Sequence, residues 1–132
     1  MASVFSKIVS GELPCYKIYE TENCLAFLDV FPLCKGHVLV VPKKEVDSIF
    51  DIDFKIYSEL WVTTKKVAKA IERSITCERV GIAVIGLEVS HAHVHLLPLQ
   101  SLEDINFSKP KISFSSQEME NISEKIRVAI KK

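Results

Sequence analysis

Three of the four histidines stand at alternate positions in His91-Ala92-His93-Val94-His95-Leu96-Leu97. Successive side chains of an extended strand face opposite ways, so this spacing puts three imidazoles on one face and Ala92, Val94 and Leu96 on the other. Such a row suits phosphoryl chemistry. Attack at phosphorus needs an aligned nucleophile and groups that stabilise charge spreading over the phosphate oxygens, and imidazole does either according to its protonation state. The middle ring, His93, is the expected nucleophile, with its neighbours as donors to phosphate oxygens. Its second nitrogen needs an acceptor to fix the tautomer, and a nearby backbone carbonyl is the expected one. His37 opens an earlier apolar stretch in which Leu39 and Val41 share its face, and strand pairing could bring this fourth imidazole beside the row.

Strand formation does not call for histidine at these positions, and clustered imidazoles repel one another when protonated, so the row reads as a functional site. A metal centre is the first rival, because two histidines spaced two apart on a strand can hold zinc and leave a water in the open position. At ~3.3 Å per residue the α carbons of His91 and His95 lie about 13 Å apart, too far for one tetrahedral ion to take all three rings. Two of them with His37 remain possible. There is no His-Glu-x-x-His helix, and the nearest acid, Glu88, lies just before the strand. No metal and no cofactor is expected.

A chain of 132 residues suits one domain, residues 1–132, built on one hydrophobic core. Lys plus Arg equals Asp plus Glu at 17 each, so no overall field draws the protein to nucleic acid or an anionic membrane, and phosphate recognition must be local. The N-terminus lacks a basic region followed by a long apolar run, and no run approaches the roughly 20 apolar residues of a membrane helix, which predicts a cytoplasmic protein. Cys15, Cys24, Cys34 and Cys77 are scattered without a Cys-x-x-Cys pair and read as free thiols.

The elements that must position the histidines follow from punctuation and periodicity. Ser3 can cap a short helix through Val9, which Gly11 and Pro14 end. Extended segments are predicted at Tyr16–Tyr19, Cys24–Val30 and His37–Val41, the last closed by Pro42. Tyr57, Leu60, Trp61, Val67, Ala68 and Ile71 give the Asp53–Ser74 segment an amphipathic helical pattern, suited to covering one face of a sheet. Val80–Ile85 and His91–Leu97 read as an antiparallel hairpin joined by the short stretch Gly86–Ser90 and ended by Pro98. Met119, Ile122, Ile126 and Ile130 predict a terminal helix from near Ser116. The fold class is α+β, an antiparallel sheet of about five strands with a long helix and a C-terminal helix.

The run His91–Leu97 resembles the His-x-His-x-His-apolar-apolar signature of the histidine triad (HIT) nucleotide-binding family. The likeness extends to Phe5-Ser6-Lys7-Ile8, Glu12-Leu13-Pro14, Leu25-Ala26-Phe27-Leu28-Asp29-Val30 and Gly36-His37-Val38-Leu39-Val40-Val41-Pro42-Lys43, in the family's order, over about the first hundred residues. The resemblance implies a HIT-like fold and an enzyme acting on the alpha phosphate of a purine nucleotide conjugate, such as a nucleoside phosphoramidate or a dinucleoside polyphosphate. His93 matches the nucleophile that forms a covalent nucleotidyl-histidine, which water then cleaves. His95 and His37 match phosphate-contacting residues, and His91 one that orders the site. Asp29 matches the acid that binds the ribose hydroxyls, and Phe5, Ile8, Leu13, Phe27, Val30 and Leu39 match the lining of the base pocket. The resemblance also implies a homodimer in which sheets of two subunits join.

Three departures from the pattern stand out. Ser3 and Ser6 occupy positions where many bacterial relatives carry a Cys-x-x-Cys half of a structural zinc site. Leu87 stands where many relatives have a glutamine that contacts phosphate, and the shortened segment before the triad leaves no match for the family's asparagine. The C-terminal part ends in a polar helix without the aromatic tail some members use for selectivity. Two rivals to an active hydrolase therefore stay open: a catalytically weak nucleotide-binding or scaffold protein, and a metallohydrolase.

Overall fold

A computed structural model describes residues 2–130. Short helix α1, Val4–Val9, is capped by Ser3, whose Oγ accepts the Ser6 N–H at 3.0 Å. Strands β1 (Lys17–Glu20), β2 (Cys24–Leu28) and β3 (Val38–Pro42) follow, then the long helix α2 (Phe54–Ser74), β4 (Arg79–Ala83), β5 (Val94–Leu99) and the terminal helix α3 (Ser116–Ile130). The five strands form one antiparallel sheet in the order β1-β2-β3-β5-β4. The predicted α+β class and its elements are therefore those observed.

The period of two along the strands sorts residues between two apolar layers. Cys24, Ala26, Leu28, Val38, Val40, Val94 and Leu96 face α2 and α3, packing with Leu60, Val67, Ile71, Ile122 and Ile126. Leu25, Phe27, Leu39 and Val41 face the other way and pack with Phe5 of α1. Strands β2 and β3 are buried on both faces, as is β5 up to Pro98, so side chains on the α1 face of the central sheet are packed away from solvent.

Two boundaries near the triad differ from expectation. The strand begins at Val94, not His91, because the Ala92 N–H donates to the Val46 carbonyl at 2.7 Å and the His91 carbonyl accepts from the His93 ring, which removes both groups from the sheet ladder. β4 correspondingly stops at Ala83, opposite His95, and the connection spans residues 84–93, longer than the expected Gly86–Ser90 link. Pro98 lies inside β5, not at its end. β3 ends opposite Leu96 at Val38, so Pro98 has already passed its inner neighbour and its missing N–H removes no ladder bond there.

Gly36 sets the approach to His37. Its φ of +91° is a conformation that L side chains rarely adopt, and an added Cβ would strike Ile75 Cδ1 with Pro98 Cγ close behind at 3.2 Å. Gly36→Ala is expected to lower stability by about 1–3 kcal/mol, read as a shift in the urea midpoint at unchanged slope. An unshifted midpoint would show that this turn bears no strain.

Candidate active site

The triad side chains sit on the α1 face of the sheet, where His91 and His93 precede β5 and His95 lies within it. All four histidines are buried: His91 is 0% exposed, His37 1%, His93 7% and His95 9%. The β3–β5 register pairs Leu39 with His95 and thereby places His37, just before β3, against the triad. His37 Nε2 and His95 Nδ1 are 2.9 Å apart. The fourth imidazole thus stands beside the row through strand pairing.

Hydrogen bonds fix which nitrogen of each ring carries hydrogen. The Leu33 N–H donates to His37 Nδ1 at 3.0 Å, so the hydrogen of neutral His37 is on Nε2. That N–H donates to His95 Nδ1, which puts the hydrogen of His95 on its own Nε2. His93 has the opposite arrangement: its Nδ1–H donates to the His91 carbonyl at 2.8 Å and its Nε2 keeps a lone pair. Among the described residues the only buried side-chain nitrogen or oxygen without a partner is Trp61 Nε1, so the unengaged Nε2 atoms of His93 and His95 reach solvent. Two rings 4.9 Å apart therefore present an acceptor and a donor side by side.

Burial keeps these rings neutral. Desolvation is the largest influence on each: it lowers the pKa of His37 to about 4 and of His95 to about 3, with neighbouring cations and imidazoles acting in the same direction. His93 is also shifted down by burial, opposed by its bond to the His91 carbonyl. At neutral pH its lone pair is free.

His91 plays another part. Its Nε2–H donates to the Pro42 carbonyl at 2.8 Å and its Nδ1 lies 2.7 Å from Ser3 Oγ, so both ring nitrogens are engaged and neither faces a substrate. Asp29 uses Oδ1 to accept the Phe31 N–H at 2.9 Å, as a turn residue does, while Oδ2 lies 3.6 Å from His37 Nε2 with capacity to accept more hydrogen bonds. Phe5, Phe27 and Leu39 are buried together with half-buried Ile8 beside them. The Phe5 ring meets the His93 ring edge-on at 4.8 Å. Leu13 and Val30 lie outside this cluster, 37% and 53% exposed.

The HIT domain family model matches residues 10–102. The chain belongs to the HIT family. Among its relatives, the adenosine 5'-monophosphoramidase hnt1 of Schizosaccharomyces pombe is 34% identical, with the match covering 99% of this chain and 100% of that protein. The adenosine 5'-monophosphoramidase HNT1 of Saccharomyces cerevisiae is 33% identical over 74% of this chain and 62% of that protein. The crystal structure of a HIT-like protein from Bartonella henselae superposes with a TM-score of 0.85 at 26% identity, covering 96% of this chain and 95% of that one. These names support hydrolase activity within the HIT family.

One group of potential metal ligands lies within this HIT site: a carboxylate oxygen of Asp29 and ring nitrogens of His37 and His95, all within 4.8 Å of one another. Their hydrogen bonding bears on whether they could take an ion. Because His37 Nδ1 accepts the Leu33 N–H, neutral His37 must keep its hydrogen on Nε2, the atom that would have to ligate.

Sequence reading missed two parts of the site. Phe107, in the loop after Leu102–Ile105, stacks edge-on against His95 at 4.7 Å and His37 at 6.2 Å, closing the end of the row opposite Phe5. Glu45 hydrogen-bonds Ser3 and Ser6, which in turn contact His91. Neither carries a local sequence signal, since these contacts join residues far apart along the chain.

Proposed function

We propose that this protein is a nucleotide hydrolase or nucleotidyl transferase that cleaves the alpha-phosphate bond of purine nucleotide conjugates, nucleoside phosphoramidates or dinucleoside polyphosphates, through a covalent nucleotidyl-His93. The observation that carries this reading is the opposite polarity of the two adjacent imidazoles, a lone pair on His93 Nε2 beside an N–H on His95 Nε2. The lone pair attacks the alpha phosphorus while the bond to the leaving group breaks, the leaving group keeping the electron pair and taking a proton from solvent. The His95 N–H stabilises charge on a phosphate oxygen, and His37 holds His95 in the donor tautomer. Water then attacks the same phosphorus, which releases the mononucleotide and restores the ring.

The nucleoside side follows the family pattern. Asp29 Oδ2 accepts from the ribose hydroxyls, while Phe5, Ile8, Phe27 and Leu39 line the base pocket, with Leu13 and Val30 at its exposed rim. The reading includes a cytoplasmic homodimer. The dimer is supported by the unpaired outer edge of β4 and by partly exposed Ile82, Val84 and Ile85 beside it.

A binding or scaffold protein is the second reading, favoured by Leu87, which is 88% exposed where a phosphate donor would be needed. Chelator-treated protein mixed with an adenosine phosphoramidate decides between them. The expected result is mononucleotide release together with a nucleotidyl adduct on His93 in the acid-quenched protein. Binding of mononucleotide with neither release nor adduct would favour the scaffold, and release abolished by the chelator would favour a metallohydrolase.

A further inference from the structure

We infer that Ser3, Ser6 and Glu45 form an outer anchor that positions the nucleophilic ring through His91, with Glu45 as its key positioning residue. The kinetic part rests on the reading of His93 given above; the structural part does not. Glu45 Oε1 accepts the Ser3 N–H at 2.7 Å and the Ser6 hydroxyl at 2.7 Å, joining groups 42 and 39 positions apart. These two donors, that of Ser3 first, hold the Glu45 carboxyl near a pKa of about 2 and so ionised.

The direction of the remaining bonds follows from donor counting. The Pro42 carbonyl can only accept, so His91 Nε2 carries the ring hydrogen and Nδ1 is an acceptor. The single hydrogen of Ser3 Oγ therefore goes to His91 Nδ1 at 2.7 Å in preference to Ser6 Oγ at 3.3 Å. Ser3 Oγ also accepts the Ser6 N–H, so this hydroxyl caps α1 and holds His91 together.

The segment from Pro42 to Val46 thus grips the chain before β5 in three ways. The Pro42 carbonyl takes the His91 ring, the Val46 carbonyl takes the Ala92 N–H at 2.7 Å, and Glu45 acts through Ser3. What this immobilises is the His91 carbonyl, the acceptor that keeps hydrogen on His93 Nδ1 and the lone pair on Nε2. Serine hydroxyls are not among the usual zinc ligands; here the Ser3 N–H and the Ser6 hydroxyl tie the exposed Glu45 carboxylate to the start of α1, and the Ser3 hydroxyl ties α1 to His91, whose carbonyl holds the His93 ring.

The test pairs steady-state kinetics on an adenosine phosphoramidate with long-range ¹H–¹⁵N spectra that report the tautomer of His93. Glu45→Ala and Ser3→Ala are each expected to lower kcat by about tenfold with little change in KM, and to mix the two His93 tautomers. Ser3→Thr, which keeps the hydroxyl, should restore both. Glu45 is exposed, so its variant keeps the core, and thermal unfolding checks that it folds. Wild-type kcat with a wild-type His93 spectrum in both alanine variants would overturn the anchor, as would a lowered melting temperature with an unchanged tautomer. Absence of turnover in the wild type would count against the proposed function, while the spectra would still decide the anchor.

Discussion

Replacing His93 with alanine is expected to lower kcat by on the order of 10⁴-fold or more and to abolish the nucleotidyl adduct, while mononucleotide still binds. The size of the effect follows from what the neighbouring rings cannot do. His95 presents an N–H at its free nitrogen, because the relay from Leu33 through His37 places its hydrogen on Nε2. His91 is fully buried with both nitrogens engaged. The other ring lone pairs in the row, on His91 Nδ1 and His95 Nδ1, are each engaged by a donor, so nothing replaces the lost nucleophile. His95→Ala removes one donor to a charged oxygen and should lower kcat by about 10²- to 10³-fold, leaving the adduct detectable. Mononucleotide release by His93→Ala within about tenfold of the wild type would exclude covalent catalysis at this residue.

The part of this site legible in the sequence is the part written in local periodicity. Alternation in His91–His95 put the imidazoles on one sheet face and Ala92, Val94 and Leu96 on the other, and the core packing shows that division. The partnership of His37 with the row was readable as a possibility, because Leu39 and Val41 marked its face. Boundaries were less legible. Whether residues 91–93 belong to the strand depends on where the Ala92 N–H goes, and its acceptor, Val46, lies in a different loop. The tautomers were beyond reach for the same reason, since they depend on the Leu33 N–H and the His91 carbonyl, whose positions only the folded chain determines. Phe5, Phe27 and Leu39 illustrate another limit. A buried cluster is what both a core and a base pocket would show, and only its contact with the His93 ring connects it to the chemistry.

The site should also make the protein acid-sensitive, at a pH set by its histidines. In the unfolded chain an imidazole protonates near pH 6.5, whereas His37 and His95 resist protonation in the fold until about pH 4 and about pH 3. Between these limits the unfolded state binds more protons, so the stability these groups contribute is fully present above about pH 6.5 and is lost as pH falls toward their folded values. Two such groups give a loss on the order of 4 kcal/mol between about pH 7.5 and about pH 5, a large share of the 5–15 kcal/mol typical of a domain. Urea unfolding at the two pH values should show the midpoint falling steeply, and His37→Gln should about halve the difference by removing one titrating ring. A midpoint unchanged across this range would show that the pair is hydrated enough to protonate in the fold. Acid sensitivity is thus the counterpart of function here: the desolvation that keeps the His93 lone pair free at neutral pH gives the unfolded state its advantage in acid.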